Sequence, residues 1–130
     1  MKPISSKELT RFIALTRLAC YNEVNKQEYK RLGRKILKYI AFKMNLVEGT
    51  YDIRFNPGGV ACSGDHTLHT DKVYLALNDN LGFGWFFYRT CDGRKDYSGG
   101  PNIIVEWREL QDEGLDYLAR CLSVQQNAEI

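Results

Sequence analysis

Two hydrophobic periods run along this chain, a helical one near its ends and a two-residue one through its middle. Near the N-terminus Ser5 and Glu8, three apart, form a capping box in "SSKE". Leu9, Phe12, Ile13, Thr16, Ala19 and Cys20 follow at helical spacing and predict a first helix. "NEVNKQE" interrupts the pattern, and Asn25 with Glu28 reads as a second N-cap, so a second helix is expected from about Lys26. Its apolar stripe is Tyr29, Leu32, Ile36, Tyr39, Ile40 and Met44, and the two helices should form a hairpin or an L.

The period changes near Gly49. In "TYDIRFN", Tyr51, Ile53 and Phe55 alternate with Asp52, Arg54 and Asn56, a half-buried strand stopped by Pro57-Gly58-Gly59. "KVYLALN" sets Val73, Leu75 and Leu77 against Tyr74, Ala76 and Asn78. After the turn "DNLGFG" come "WFFYRT" and "NIIVEWR", a third and a fourth strand. "CSGDHTLHTD", between the first two strands, reads as a glycine-broken loop. A last helix is expected from Leu110 to Leu122, carrying Leu115, Leu118 and Leu122, with "SVQQNAEI" as a fraying polar tail. Helices, then strands joined by turns, then a helix imply one α+β domain over residues 1–130. Its sheet should be four-stranded and antiparallel, with helices on one face.

Composition narrows the class. A 130-residue chain that is 44% hydrophobic and 26% charged is an ordinary globular domain, not a disordered one. Its apolar runs, "GFGWFF" and "IIV", are too short to span a bilayer. Lys2 is followed by no apolar stretch before Ser5 and Ser6, so no signal peptide and no membrane partner are expected, and the cytosol is the expected compartment. Cys20, Cys62, Cys91 and Cys121 are scattered with no CxxC pair, as reduced thiols packed like small hydrophobes would be. The charge distribution says more than the net +2. Lys26 to Lys43 holds seven basic residues and one acid, Glu28, whereas Glu106 to Glu129 holds six acids and two arginines. Such asymmetry suggests an electrostatic face, or two regions that attract each other within one subunit or between subunits.

Motifs for catalysis are missing: there is no nucleophile elbow, no Walker loop and no strand-linked GxGxxG, so no enzyme and no cofactor is expected. Cys62, Asp65, His66, His69 and Asp71 are possible metal ligands, but they form one cluster without the tight second pair a zinc site uses, and no metal is expected. The basic run from Lys26 could lie on phosphates, yet neither a recognisable module nor a strongly basic chain accompanies it. Nucleic acid is therefore an unlikely partner, and a solvated helix face is the simpler reading.

The segment "YRTCDGRKDYSGGPN" stands apart. Arg89, Arg94 and Lys95 supply positive charge, and a guanidinium can grip a phosphate through two bonds. Glycines let backbone amides turn toward an anion. Phe86, Phe87, Tyr88 and Tyr97 offer flat faces for a base, and Asn102 can both donate to and accept from a ring edge. Arg54 and Arg108 lie near the ends of their strands and could line the same rim. The opposing reading is a long polar hairpin loop in which Asp92 and Asp96 pair with Arg94 and Lys95. The length of the loop favours a binding role, since hairpin loops are usually far shorter.

"FFYRTCDGRKDYSGGPN", together with "IRFNPGG", is similar to the first family of Thoeris anti-defence proteins, across Tyr51 to Arg108. These are phage proteins that sequester cyclic-ADP-ribose-type immune signals, some also cyclic trinucleotides, without cleaving them, and they are symmetric oligomers. The resemblance implies a homo-oligomer in a host cytosol whose partner is a small nucleotide signal. It implies that an aromatic among Phe83 to Phe87 stacks on adenine and that Asn102 and Arg108 hold the base and phosphates. Arg54 would serve a separate anion site at a subunit junction. The candidate ligand-binding set is thus Arg54, Phe83, Phe87, Arg89, Arg94, Tyr97, Asn102 and Arg108. A small protein-interaction module or inhibitor of a host nucleic-acid enzyme is the alternative, with the basic second helix or the acidic C-terminal helix as its contact face.

Overall fold

The computed structural model describes residues 3–18, 22–57, 64–78, 85–96, 99–105 and 109–127. In chain order these form α1 (Ser6–Leu18), α2 (Glu23–Lys43), β1 (Tyr51–Pro57), β2 (Gly64–Thr70), β3 (Val73–Asn78), β4 (Trp85–Thr90), β5 (Ile103–Val105) and α3 (Glu109–Gln126). The five strands make one antiparallel meander in the order β1-β2-β3-β4-β5.

The α+β class holds, but the sheet has one strand more than the pattern predicts. The extra strand is β2, "GDHTLHT", which the sequence presents as a loop. Leu68 is its only large apolar residue, so it shows no hydrophobic alternation, yet His66, Thr67, Leu68, His69 and Thr70 are all buried. Neighbouring strands on both sides bury this polar strand.

Capping sets the helix starts. The Ser5 box forms as expected: Ser5 Oγ accepts from the Glu8 amide at 3.1 Å, and the Ser5 amide donates to Glu8 Oε1 at 3.2 Å. α2 starts earlier than expected, at Glu23, because Asn22 rather than Asn25 is the cap. Asn22 Oδ1 accepts from the Asn25 amide at 2.8 Å, which places Asn25 inside the first turn. α3 runs past Leu122 to Gln126, across non-helical backbone at Gly114 (φ 63°), so part of the expected tail is helix. Gln126 Oε1 accepts from the buried Thr70 hydroxyl at 2.5 Å, which anchors that last turn to the sheet. Cys121 lies in α3 as expected, whereas Cys20 and the end of the expected fourth strand at Glu106-Trp107-Arg108 fall outside the described residues.

The register puts Phe55, His66, Leu77, Phe86 and Val105 in one row across the sheet, and Ile53, Leu68, Leu75, Tyr88 and Ile103 in the next. These rows face the helices. α2 packs on β1 and β2, α3 on β3 and β5, and α1 on α2. Phe12, Leu15, Tyr29, Ile36, Leu37, Ile40, Leu118 and Leu122 complete the core, each almost fully buried. Burial of a side chain of this size contributes about 1.5–3 kcal/mol. The basic and acidic regions meet inside the chain: the Tyr39 hydroxyl donates to Asp116 Oδ1 at 2.6 Å, and Lys43 Nζ is 3.9 Å from the same oxygen.

One contact ties helix to sheet unusually closely. Gly33 sits in the interior of α2, where glycine costs about 1 kcal/mol relative to alanine. The His66 ring lies directly on its backbone: a Cβ at Gly33 would come within 2.3–2.5 Å of three ring atoms. Phe12, Tyr29 and Phe55 wall the ring, with centroids 5.7, 4.7 and 4.7 Å away. Neither ring nitrogen meets a hydrogen-bond partner in good geometry, and burial pushes the imidazole down to about 4.

Candidate functional site

Strand alternation sends the remaining residues to the other face, on which no helix lies among the described residues. Two rows cross it. Asp52, His69, Tyr74 and Arg89 form one; Arg54, Thr67, Ala76, Phe87 and Ile104 form the other. The centre of this open face is close-packed, with Thr67, His69 and Ala76 each no more than 5% exposed. Arg54 and Ile104, at opposite ends of the second row, are exposed.

The first row is a stack. The His69 and Tyr74 rings meet edge-on at 5.0 Å, and the Arg89 guanidinium sits 4.5 Å from the Tyr74 centroid. Arg89 Nη1 donates to Asn102 Oδ1 at 3.1 Å, which joins the two ends of the β4–β5 loop. Burial, and then the Arg89 charge, depress the His69 imidazole, so it is neutral at physiological pH. Phe87 tilts toward Tyr74 from the second row, centroids 6.3 Å apart.

Arg94 leaves this stack and reaches back across the sheet edge. Its Nη1 donates to the Gly49 carbonyl at 3.1 Å and lies 3.8 Å from Asp52, while Nε is 3.6 Å from Asp71. The anticipated pairing of Arg94 with Asp92 or Asp96 is therefore replaced by partners from β1 and the β2–β3 turn. Asp96 instead organises the loop itself, accepting from the amides of Asp92 at 2.9 Å and Gly99 at 3.1 Å. The Gly93 amide donates to the Asp71 carbonyl at 2.8 Å, and the Gly100 amide to Thr90 at 3.0 Å. These glycine amides are engaged with protein oxygens, not turned outward toward an anion. Gly99 is also sterically required: with φ 36°, a Cβ there would lie 2.1 Å from the Thr90 carbonyl oxygen.

Of the candidate set, Arg54, Phe87, Arg89, Arg94 and Asn102 share this face and its loop rim, whereas Phe83, Tyr97 and Arg108 lie outside the described residues. Phe86 and Tyr88 point the other way, into the core. Tyr74, Thr67 and His69 belong to the face and were not anticipated; the alternation of "KVYLALN" already set Tyr74 opposite the core residues, but β2 had to be recognised as a strand to bring in the other two. A shallow cavity of about 10 Å³ opens between Asp52, Arg54, Thr67, His69 and Arg94, room for about one water molecule. A nucleotide does not fit inside it and would have to lie across the face.

Of the possible metal ligands, Cys62 lies outside the described residues, and the two histidines are parted by strand geometry. His66 and His69 are three residues apart on one strand, so one faces the helices and the other the open face. No group of three His, Cys, Asp or Glu among the described residues could hold a metal ion. Cys91 donates its Sγ–H to the Thr70 carbonyl at 3.3 Å, and burial pushes the thiol up to about 11, far from the thiolate a nucleophile needs. No helix of the described residues is long and apolar enough to cross a membrane. No family model, no curated protein and no solved structure matches the chain.

Proposed function

We propose that the protein binds and sequesters a small nucleotide-derived signal on the open face of its sheet, without cleaving it. The observation that carries this reading is the placement, on a face with no helix among the described residues, of flat side chains and guanidinium groups: Phe87 and the Tyr74–Arg89 stack beside Arg54 and Arg94. Base stacking on an aromatic ring contributes about 1–3 kcal/mol, and a guanidinium adds directional phosphate contacts. Arg54 carries the phosphate role most simply, since it is exposed and has no acidic partner within ion-pair distance among the described residues. Arg89 and Arg94 are already held by Tyr74, Asn102, Gly49 and two aspartates, which positions them without freeing them. Among the described residues the face forms a surface without a cleft of nucleotide size, and a second wall over it would hold a ligand more tightly. A second subunit placed over this face would supply it, in keeping with the symmetric oligomers implied by the resemblance to Thoeris anti-defence proteins.

The test is a thermal-shift panel of cyclic ADP-ribose isomers, cyclic dinucleotides and cyclic trinucleotides, with mass spectrometry of small molecules released on heat denaturation. A ligand at 100 times its Kd raises native stability by about 2.7 kcal/mol. The expected result is a clear rise in Tm with one class, lost in Arg54→Ala and Phe87→Ala. An unmoved Tm across the panel, with no released nucleotide, refutes the reading. Stoichiometric capture of one host protein instead would favour the interaction-module alternative.

A further inference from the structure

A second surface lies at the other side of β1, independent of the open face. β1 is the first strand of the sheet, so one of its edges has no strand partner among the described residues. Bordering that strand, α2 carries Lys26, Lys30, Arg34 and Lys38 in an unbroken i, i+4 ladder. One contact fixes its place, and an electrostatic influence agrees with it. Lys30 Nζ lies 5.9 Å from the centroid of Phe55, and Arg34 is near enough for its charge to act on the Tyr51 hydroxyl. Phe55 and Tyr51 are helix-side residues of β1, so the ladder overhangs the helix side of this edge. The neighbouring cations Arg11 and Lys35 pair with Glu28 and Glu8, but none of the four ladder residues has an acidic partner among the described residues.

We propose that this edge receives an extended acidic peptide, which adds to β1 as a further strand with its alternate carboxylates under the Lys26–Lys38 ladder. The repeats match. Side chains on one face of a strand recur every 6.7 Å or so. Residues four apart on a helix recur every 6 Å or so, along a ridge inclined to the axis. Main-chain hydrogen bonds to an open edge supply affinity, and the alternate side chains supply selectivity. A second copy of this chain is a poor occupant, because antiparallel pairing of two β1 edges about a twofold axis sets each ladder against its twin. A nucleic-acid backbone would satisfy the ladder yet leave the strand edge unused.

The experiment uses the full chain and three labelled probes: a dodecapeptide alternating Glu and Thr, its Lys/Thr counterpart, and a single-stranded oligo-dT. The Glu/Thr peptide should bind, weaken with salt, and slow hydrogen exchange at those amides of residues 51–56 that point away from β2, while the Lys/Thr peptide should not bind. Lys30→Glu/Arg34→Glu should weaken the peptide at least tenfold with Tm within a few degrees of the parent. Failure of the Glu/Thr peptide to bind, binding without protection of β1 amides, or unchanged affinity in the charge-reversed variant overturns the proposal. So does binding of oligo-dT in preference to the peptide, which would make the ladder a phosphate track.

Discussion

Acid should weaken this protein chiefly through His66, before its carboxylates protonate. In the unfolded chain the imidazole titrates near its ordinary value of about 6.5. In the fold it is pushed down to about 4, since protonation would bury a charge among Phe12, Tyr29 and Phe55, and the Lys30 backbone opposes this only in part. With the folded value depressed, the unfolded state binds the proton more readily. Stability is fully present above about pH 6.5 and is lost as pH falls toward 4. At pH 5 the linkage amounts to about 2 kcal/mol, a large share of the total for a domain of this size. His69 shifts in the same direction, so the comparison must isolate His66. The assay is urea unfolding of the parent and His66→Phe at pH 7.5, 6, 5.5 and 5. The parent should lose about 2 kcal/mol more than the variant between pH 7.5 and 5. Equal losses in the two proteins, or a parent midpoint that does not move above pH 5, would show that the ring is solvated or partnered and that the reasoning is wrong.

Gly33→Ala should destabilise by about 2–4 kcal/mol in denaturant melts despite alanine's better helix propensity, because its Cβ collides with the His66 ring; Gly33→Ala/His66→Ala should cost less than the sum of its parts. Tyr39→Phe, which removes the hydroxyl that donates to Asp116, should lower stability by about 1 kcal/mol and loosen α3 in hydrogen exchange. Asn22→Ala should cost about 1 kcal/mol by uncapping α2, whereas Asn25→Ala should cost much less, a pair that circular dichroism melts resolve. Arg94→Ala should change the unfolding free energy by less than about 1 kcal/mol, since its ion pairs are half-exposed, yet speed exchange of the Gly93 amide in the loop it straps to β1.

What could be read from the sequence depended on how local the cause was. The Ser5–Glu8 box is complete within four residues, and it forms as written. The alternation in "YDIRFN" and "KVYLALN" gave the correct inward faces, because each of these strands carries its own apolar row. β2 was hidden because its burial comes from β1, β3 and α2, and no local pattern records that. Gly33 drew no notice for the same reason: its partner is His66 on a distant strand. At the site, the grouping of Arg89 with Asn102 follows from a loop that returns on itself. Arg94's partners, Gly49, Asp52 and Asp71, come from two other stretches of chain, and neither charge nor spacing points to them.

The close seat of His66 on Gly33 also sets the register of the sheet against the helices. The bare backbone of Gly33 leaves a hollow in α2, flanked by the rings of Phe12 and Tyr29, which stack at 5.1 Å. His66 fills that hollow, and a slip of β2 by one residue would turn a threonine or an aspartate toward the glycine. Every other strand is aligned on β2 directly or through a neighbour, so this helix–strand contact indexes the whole meander against α2.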